Sequence, residues 1–322
     1  METNQLIVSS SPHIRSSEDV AQIMKDVLIA LLPATLASIY FFRMGAIVNI
    51  LVGVLGAVGA EFLCQKVMKR KVTINDFSAA VTGLLLAMNV PASLPWWITL
   101  VGSAFAIIMA KQVFGGLGHN FMNPALVARA ALLAAYPSQM TGWVNTALNT
   151  SANVDGLSAA TPLAVIKGGE AVQAASLFDM FVGNVPGTLG ETSAILLILG
   201  GCYLIYRKVI SPRIPLVYIG TVALLTFVFS GFDPMMIPYN LFGGGLMLGA
   251  FFMATDYSSS PVNEKAQLVY AFGCGLLTSI IRYYGGYPEG VSYSILLMNV
   301  AAPLMDKMMK PRVFGEVSKN VK

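Results

Sequence analysis

The apolar residues of this chain are collected into ten runs, separated by short polar stretches and by one long polar interruption at 137–190. The runs cover approximately 27–42, 46–62, 79–90, 95–110, 123–136, 193–205, 216–229, 241–254, 267–281 and 293–305. A helix needs about 20 residues to cross a bilayer. Several runs are shorter than that, but their mostly uncharged flanks allow longer helices. The pattern predicts an all-α polytopic membrane protein with about ten transmembrane helices.

The long interruption divides the runs into five before it and five after it. Because five is odd, the second half starts from the opposite side of the membrane, as inverted-topology repeats require. The third run of each half is short or broken, since 79–90 ends at Pro91 and 241–254 contains Gly243-Gly244-Gly245. Paired broken segments mark a binding site near the bilayer midplane. We therefore predict two inverted five-helix repeats with one site between them.

These patterns divide the chain into five parts. They are a cytoplasmic tail with a surface helix at 1–26, a first five-helix repeat at 27–136, an extracytoplasmic loop at 137–190, a second five-helix repeat at 191–309 and a cytoplasmic tail at 310–322. Composition supports the membrane assignment, because 56% of the residues are hydrophobic and only 11% are charged. Soluble domains carry about 25% charged residues, so a soluble protein is excluded.

Positive charge predicts the orientation. With the N-terminus inside, 16 Lys and Arg residues fall on the inner side, three (Arg43, Lys167 and Arg282) fall on the outer side, and Arg129 lies within a run. Such a bias follows the positive-inside rule. We predict a multi-pass protein of the cell membrane, with both termini cytoplasmic and the 137–190 loop outside.

Metal and nucleic-acid sites are not predicted. The three cysteines, Cys64, Cys202 and Cys274, lie far apart in apolar runs, and no Cys-x-x-Cys pair is present. Iron–sulfur and zinc sites need closely spaced ligands, so inert buried thiols are the expectation. No nucleotide-binding loop is recognisable, and we expect membrane lipid and other proteins as the surroundings, not nucleic acid.

The first candidate site lies in the long polar loop. Asp155, Ser158 and Ala160 lead into Thr161, whose hydroxyl is followed directly by Pro162. Two interpretations fit: an accessible hydroxyl that carries a cofactor, or a helix N-cap with proline at the first helical position. Local chemistry alone favours the cap, because modified hydroxyls are scarce.

The second candidate site lies between the fourth and fifth runs, in Lys111-Gln-Val-Phe-Gly-Gly-Leu-Gly-His-Asn-Phe-Met-Asn-Pro124. Asn120 and Asn123 offer amide donors and acceptors that suit the uracil-like edge of a flavin ring, although Asn123 is equally suited to cap a helix begun by Pro124. Asp256 ends the eighth run, where it can accept hydrogen bonds from a ring, coordinate a cation, or cap the turn through Ser258–Ser260.

Other polar residues have less specific interpretations. Thr192 and Ser193 precede the sixth run, where the N–H groups of a helix start suit a phosphate. Glu191 would repel a phosphate, so we expect it to cap or orient. Arg129 lies within a run, where the free-energy cost of placing a charged side chain in the membrane suggests a function. Glu61 is expected to pair with the neighbouring basic loop.

These stretches together resemble the family of the D subunit of the Rnf electron-transport complex and the B subunit of the sodium-pumping NADH:quinone oxidoreductase. The resemblance extends from about 28 to 310. Its most specific parts are Lys111 to Asn120, Asp155-x-x-Ser-Ala-Ala-Thr161-Pro-Leu, Gly-Glu191-Thr-Ser and Met-Ala-Thr-Asp256. The family usually has Gly where Ala159 stands. The short N-terminal tail favours the Rnf type, and the quinone-reducing type or a cofactor-free small-solute channel are the alternatives.

The resemblance implies two flavins. FMN would be esterified to Thr161, which reverses the preference for a cap alone, with Asp155, Ser158, Ala160, Glu191, Thr192 and Ser193 around it. Riboflavin would be bound non-covalently near Asn120, Asn123 and Asp256. The resemblance also implies electron transfer between ferredoxin and NAD, coupled to sodium or proton movement. The partners would be other subunits of one complex, including an extracytoplasmic FMN subunit and iron–sulfur subunits.

Overall fold

The structure is a computed structural model that describes residues 19–146, 160–167, 176–191, 193–286 and 288–309. Three predicted site residues, Asp155, Ser158 and Thr192, lie outside these ranges. Within the ranges the chain is helical and contains no strand, so the all-α prediction is confirmed.

The first half contains five helices. They are α1 (Val20–Phe42), α2 (Met44–Val67), α3 (Ser78–Met88), α4 (Trp96–Ile107), which continues into a π-helical segment (Ile108–Gln112), and α5 (Pro124–Ala135). The polar interruption holds α6 (Pro137–Met140), α7 (Pro162–Lys167), α8 (Leu177–Val182) and the 3₁₀ turn Leu189–Glu191. The second half contains α9 (Ala194–Tyr206), α10 (Arg213–Phe229), α11 (Met236–Phe242), α12 (Leu246–Leu248) with a π-helical continuation (Gly249–Met253), α13 (Glu264–Tyr284) and α14 (Val291–Met308).

Only some of these helices are long and apolar enough to cross a membrane as single spans. Among the described residues α1 and α2 are long and apolar enough to cross a membrane, and α11 with α12 and its continuation qualifies as one span bent by 63°. Several other apolar helices are shorter. The structure is therefore that of a helical membrane protein, and the count of ten spans stays a prediction.

The expected surface helix before residue 27 is not separate. Helix α1 begins at Val20, with Asp19 as its N-cap, and runs without a break through Asp26. Asp26 accepts hydrogen bonds from Tyr203 and from Arg207 at 3.1 Å each on the α9 side. These bonds tie the first turns of α1 to α9, and residues 20–26 form one continuous helix with the first apolar run.

The third segment of each half is interrupted, as predicted. Helix α3 ends at Met88, and the chain turns at Pro91, which forms an isolated bridge with Thr188. In the second half the chain breaks at 243–245 between α11 and α12, where Gly244 has φ 67°. A side chain is strained at that φ, so glycine permits the break.

The two halves use corresponding packing partners. Helix α2 packs on α4 and α10 packs on α13, while α4 contacts α5 and α13 contacts α14. Between the halves, α1 packs on α9 and α5 packs on α14. This arrangement places a common interior between α1, α3, α5, α9 and α14.

Candidate functional site

The main candidate site is a pocket between the two halves, with about 750 Å³ of empty space when the solvent at its mouth is included. It is bordered by α1, α3, α5, α9, both π-helical segments and the connections that follow them. Its wall is largely apolar, with polar positions that include Ser78, Lys111, Asn120, Asn123 and Asp256. Three predicted site residues, Asn120 and Asn123 from one connection and Asp256 from the other half, are thus brought to one pocket.

Asn120 and Asp256 are in contact across the halves. Asn120 Nδ2 donates to Asp256 Oδ2 at 3.4 Å, and Asn120 Oδ1 accepts from the Ser258 hydroxyl at 2.8 Å. Asp256 Oδ2 also accepts from the Ser259 hydroxyl at 2.8 Å, and its carbonyl accepts from the Ser260 N–H. Asp256 therefore caps the following turn, which was one of its predicted roles.

Asn123 is the N-cap of α5, which was also one of its predicted roles. Its Oδ1 accepts from Ala125 N at 3.1 Å and Leu126 N at 3.3 Å. Its Nδ2 donates to the carbonyl of Met253 at 3.3 Å. The side chain thus connects the start of α5 to the π-helical segment after α12, at the pocket wall.

Sequence reasoning missed the buried charge pair beside this pocket. Lys111 Nζ donates to both Glu61 oxygens at 3.0 Å and to the Ser78 hydroxyl at 2.6 Å. Glu61 also accepts from Gln112 at 2.7 Å, so the expected pairing with the basic loop is wrong. A buried charge is tolerated when its partners satisfy it, and here three acceptor atoms face the ammonium. Lys111 is the only basic residue among the described residues that line the pocket.

Thr161 lies at the N-terminus of α7. Its hydroxyl accepts from Ala164 N at 3.3 Å, and its carbonyl accepts from Ala164 N and Val165 N, so the predicted cap is present. The expected accessible hydroxyl is wrong for this conformation, because Thr161 is only 3% exposed. Leu163 packs against Gly243 and Gly244 at the break between α11 and α12. Ala160 is exposed.

A second buried charged cluster lies near that break. Arg129 donates to Glu289, to Ser292 and to the Asn89 carbonyl at 3.1 Å. Arg282 donates to the Asn240 carbonyl and to the Gly243 carbonyl at 3.2 Å. Both arginines therefore satisfy carbonyls at the ends of interrupted helices, where unpaired carbonyls need donors.

Glu191 belongs to this cluster and is outside the helical spans. Burial raises the pKa of Glu191 well above its usual value, and the neighbouring Glu289 raises it further. Burial also acts to raise the pKa of Glu289, but Arg129, the hydrogen bond with Glu191 and the charge of Arg282 together outweigh burial, and the pKa of Glu289 is lowered. Ser193 is the N-cap of α9, accepting from Leu196 N at 3.5 Å. Its role toward a phosphate stays a prediction.

These features define a class: a helical membrane protein with two interrupted segments and a largely apolar pocket between its halves. The chain belongs to the NQR2, RnfD, RnfE family, whose model matches residues 7–315. It is 52% identical over 312 residues to the D subunit of the Na(+)-translocating ferredoxin:NAD(+) oxidoreductase complex of Acetobacterium woodii, covering 96% of this chain and 95% of that protein.

Two further relatives match over similar lengths. The chain is 45% identical to the D subunit of the proton-translocating ferredoxin:NAD(+) oxidoreductase complex of Clostridium ljungdahlii, covering 97% of both chains. It is 35% identical to the D subunit of the ion-translocating oxidoreductase complex of Escherichia coli, covering 96% of this chain and 98% of that protein. The resemblance inferred from the four motifs is confirmed.

Proposed function

We propose that this chain is the flavin-carrying membrane subunit of an Rnf-type complex, in which electrons move between ferredoxin and NAD with coupled sodium or proton translocation. The observation that carries this proposal is the similarity to the D subunits of such complexes over almost the whole of both chains. Ferredoxin and NAD would bind to other subunits of the complex, including iron–sulfur subunits and an extracytoplasmic FMN subunit.

The proposed architecture is about ten transmembrane helices in two inverted five-helix repeats, with both termini cytoplasmic. The corresponding packing partners of the two halves support it, as do the interruptions in the third segment of each half. In this arrangement the pocket opens toward the cytoplasmic connections, and α7 lies toward the outside.

The pocket between the halves is the proposed riboflavin site. Its apolar wall suits a flat aromatic ring, and Asn120, Asn123 and Asp256 are among its polar lining residues. The only basic residue among its described lining residues, Lys111, already has three acceptor atoms, and a carboxylate faces the same space. A phosphate would meet no available cation there, which favours a flavin without a phosphate.

Thr161 is the proposed attachment residue for FMN, linked through a phosphate ester. The cap does not oppose this assignment, because an ester oxygen can still accept the Ala164 N–H. The burial of Thr161 implies that FMN is attached before α7 packs against Gly243 and Gly244. Bound flavins supply the electron-transfer chemistry, while the protein provides position and electrostatic surroundings.

The test is covalent flavin fluorescence of the denatured polypeptide, with mass analysis of a peptide that spans Thr161. The wild-type chain should fluoresce and Thr161→Ala should not, while remaining in the membrane. Ser176→Ala is the matched control, because Ser176 caps the nearby α8 through Asp179 N at 3.1 Å. Each substitution loses a cap worth about 0.5–2 kcal/mol, but Ser176→Ala should keep the fluorescence. An unmodified wild-type chain from a host able to attach flavin would contradict the proposal and favour a cofactor-free channel.

A further inference from the structure

Four charged side chains meet where α5 and α13 approach the segments that precede α9 and α14. They are Arg129, Arg282, Glu191 and Glu289. Glu191 interacts electrostatically with Glu289 and Arg129, and Arg282 interacts with both carboxyl groups. Glu191 is only 6% exposed, and the Glu289 side chain is 11% exposed. Buried ionised groups need specific partners, so the donors available to each carboxyl group decide its state.

The two arginines are largely occupied by other acceptors. Arg129 uses one N–H on the Asn89 carbonyl, one on Ser292 and one on Glu289. Arg282 uses its two terminal nitrogens on the carbonyls of Asn240 and Gly243, and its buried Nε has no hydrogen-bond partner among the described residues. Within the described residues neither guanidinium donates to Glu191. The nearby cation Lys167 donates to the Gly285 carbonyl.

Each carboxyl group retains an oxygen without a donor. Glu191 Oε1 and Glu289 Oε1 are both buried and have no hydrogen-bond partner in the described structure. The two carboxyl groups are nevertheless within hydrogen-bonding reach of each other. Two ionised carboxylates in contact repel each other, whereas a single proton between them supplies the missing donor.

A proton fits this pair better than a metal ion. Sodium and similar hard cations bind through several oxygen ligands, and the described residues contain no group of three or more acidic, His or Cys side chains that could hold a metal ion. The two guanidinium groups beside the carboxyl groups would also repel a cation that cannot form a hydrogen bond.

We propose that Glu191 and Glu289 share one proton and form a proton-binding site of this protein. This site goes beyond the proposed flavin function and does not depend on it. With the proton bound, Arg129, Arg282 and Glu289 leave the cluster with one net positive charge; release of the proton makes it neutral. Arg129 belongs to the first half, and both carboxyl groups belong to the second. Binding or release of the proton therefore changes the net charge at a contact between the two halves.

The test is infrared spectroscopy of the purified complex near neutral pH, following the C=O stretching band of protonated carboxyl groups and its shift in D₂O. The wild-type complex should show a deuterium-sensitive band that Glu191→Gln removes. Glu264→Gln is the control, because Glu264 forms an exposed pair with Arg213 at 2.7 Å, and it should leave the band unchanged. Thr161→Ala should also leave it unchanged, which separates this proposal from that of covalent FMN.

A second variant and a second condition keep the test decisive if Glu191→Gln fails to fold. Glu289→Gln should shift or remove the same band, because the hydrogen-bond partner of Glu191 changes. The wild-type band should persist when sodium chloride is added in excess, and its loss on adding sodium would assign the site to sodium and overturn the proton. A wild-type complex without a deuterium-sensitive band, or variants that leave the band intact, would overturn the proposal as well.

Discussion

Asn123 uses both ends of its side-chain amide within the protein. Its oxygen accepts two N–H groups at the start of α5, and its nitrogen donates to the Met253 carbonyl. A flavin would therefore meet Asn123 mainly as a fixed part of the pocket wall. Its substitution should act by loosening the junction between α5 and the π-helical segment Gly249–Met253.

Asn123→Ala is expected to reduce the riboflavin retained per polypeptide several-fold. The matched control is Asn263→Ala, since Asn263 caps α13 through Lys265 N at 3.0 Å and is not among the residues that line the pocket. Both variants lose a cap worth about 0.5–2 kcal/mol, so a general loss of stability would affect both alike. Riboflavin is measured by chromatography after extraction, with covalent flavin on the same chain as the internal standard. Equal riboflavin in the two variants would remove the proposed site.

Local sequence patterns predicted the residues whose partners are close along the chain. The caps at Thr161 and Asn123 use N–H groups two or three residues away, and such spacing is readable in a single sequence. The pairs Lys111–Glu61 and Arg129–Glu289 join residues 50 and 160 positions apart. No local pattern links such partners, so Glu289 was not recognised and Glu61 was assigned to the wrong partner.

Helices α2 and α3 approach each other through glycine. A Cβ on Gly83 would lie 2.4 Å from the Gly53 carbonyl oxygen and 2.8 Å from Ala57 Cβ. Backbone at that distance cannot move aside without shifting a helix. Small residues at such positions allow close packing where the hydrophobic effect cannot drive association. Because α3 lines the pocket, its distance from α2 affects the site.

Gly83→Ala is expected to destabilise the protein by about 1–3 kcal/mol, as over-packing does. Gly59→Ala on α2 is the control, because a Cβ there would meet no atom within 4 Å. Alanine also favours helix over glycine by roughly 0.5–1 kcal/mol, so Gly59→Ala should be neutral or stabilising. Thermal unfolding of the two variants in detergent, followed by loss of helical circular dichroism, measures the difference. A Gly83→Ala variant as stable as Gly59→Ala would contradict the close approach.

The apolar runs predicted the positions of the main helices but not their internal form. The third run, 79–90, corresponds to Ser78–Met88, and the ninth, 267–281, lies within Glu264–Tyr284. The π-helical segments were not predicted. One carries Lys111, and the other holds the Met253 carbonyl that binds Asn123. Both π-helical segments contact residues that are distant along the chain. The periodicity of a single sequence does not reveal such contacts.

At the scale of the whole molecule, contacts made by the connecting segments and the helix ends next to them fall into two sets. One set joins Arg70 to the Gln112 carbonyl, Asn120 to Asp256 and the Val262 N–H to Asp306. The other joins Ser93 to the Gly142 carbonyl, Pro91 to Thr188, Thr146 to Asn184 and Lys167 to the Gly285 carbonyl. Two separate sets are expected at opposite ends of a helical bundle. The basic segment 66–71, Lys111, Lys265 and Lys307 lie in or next to the segments of the first set.

The two ends of the bundle should therefore react differently with a membrane-impermeant maleimide on intact cells. In a background with Cys64, Cys202 and Cys274 replaced by alanine, Ser138→Cys should be labelled from outside, and Lys69→Cys only after the cells are opened. Both positions are exposed in the structure, so a difference in reactivity reports the side of the membrane and not burial. The physical reason is the charge bias, since basic connections stay on the cytoplasmic side. Labelling of Lys69→Cys in intact cells, with Ser138→Cys protected, would reverse the orientation and place Thr161 inside.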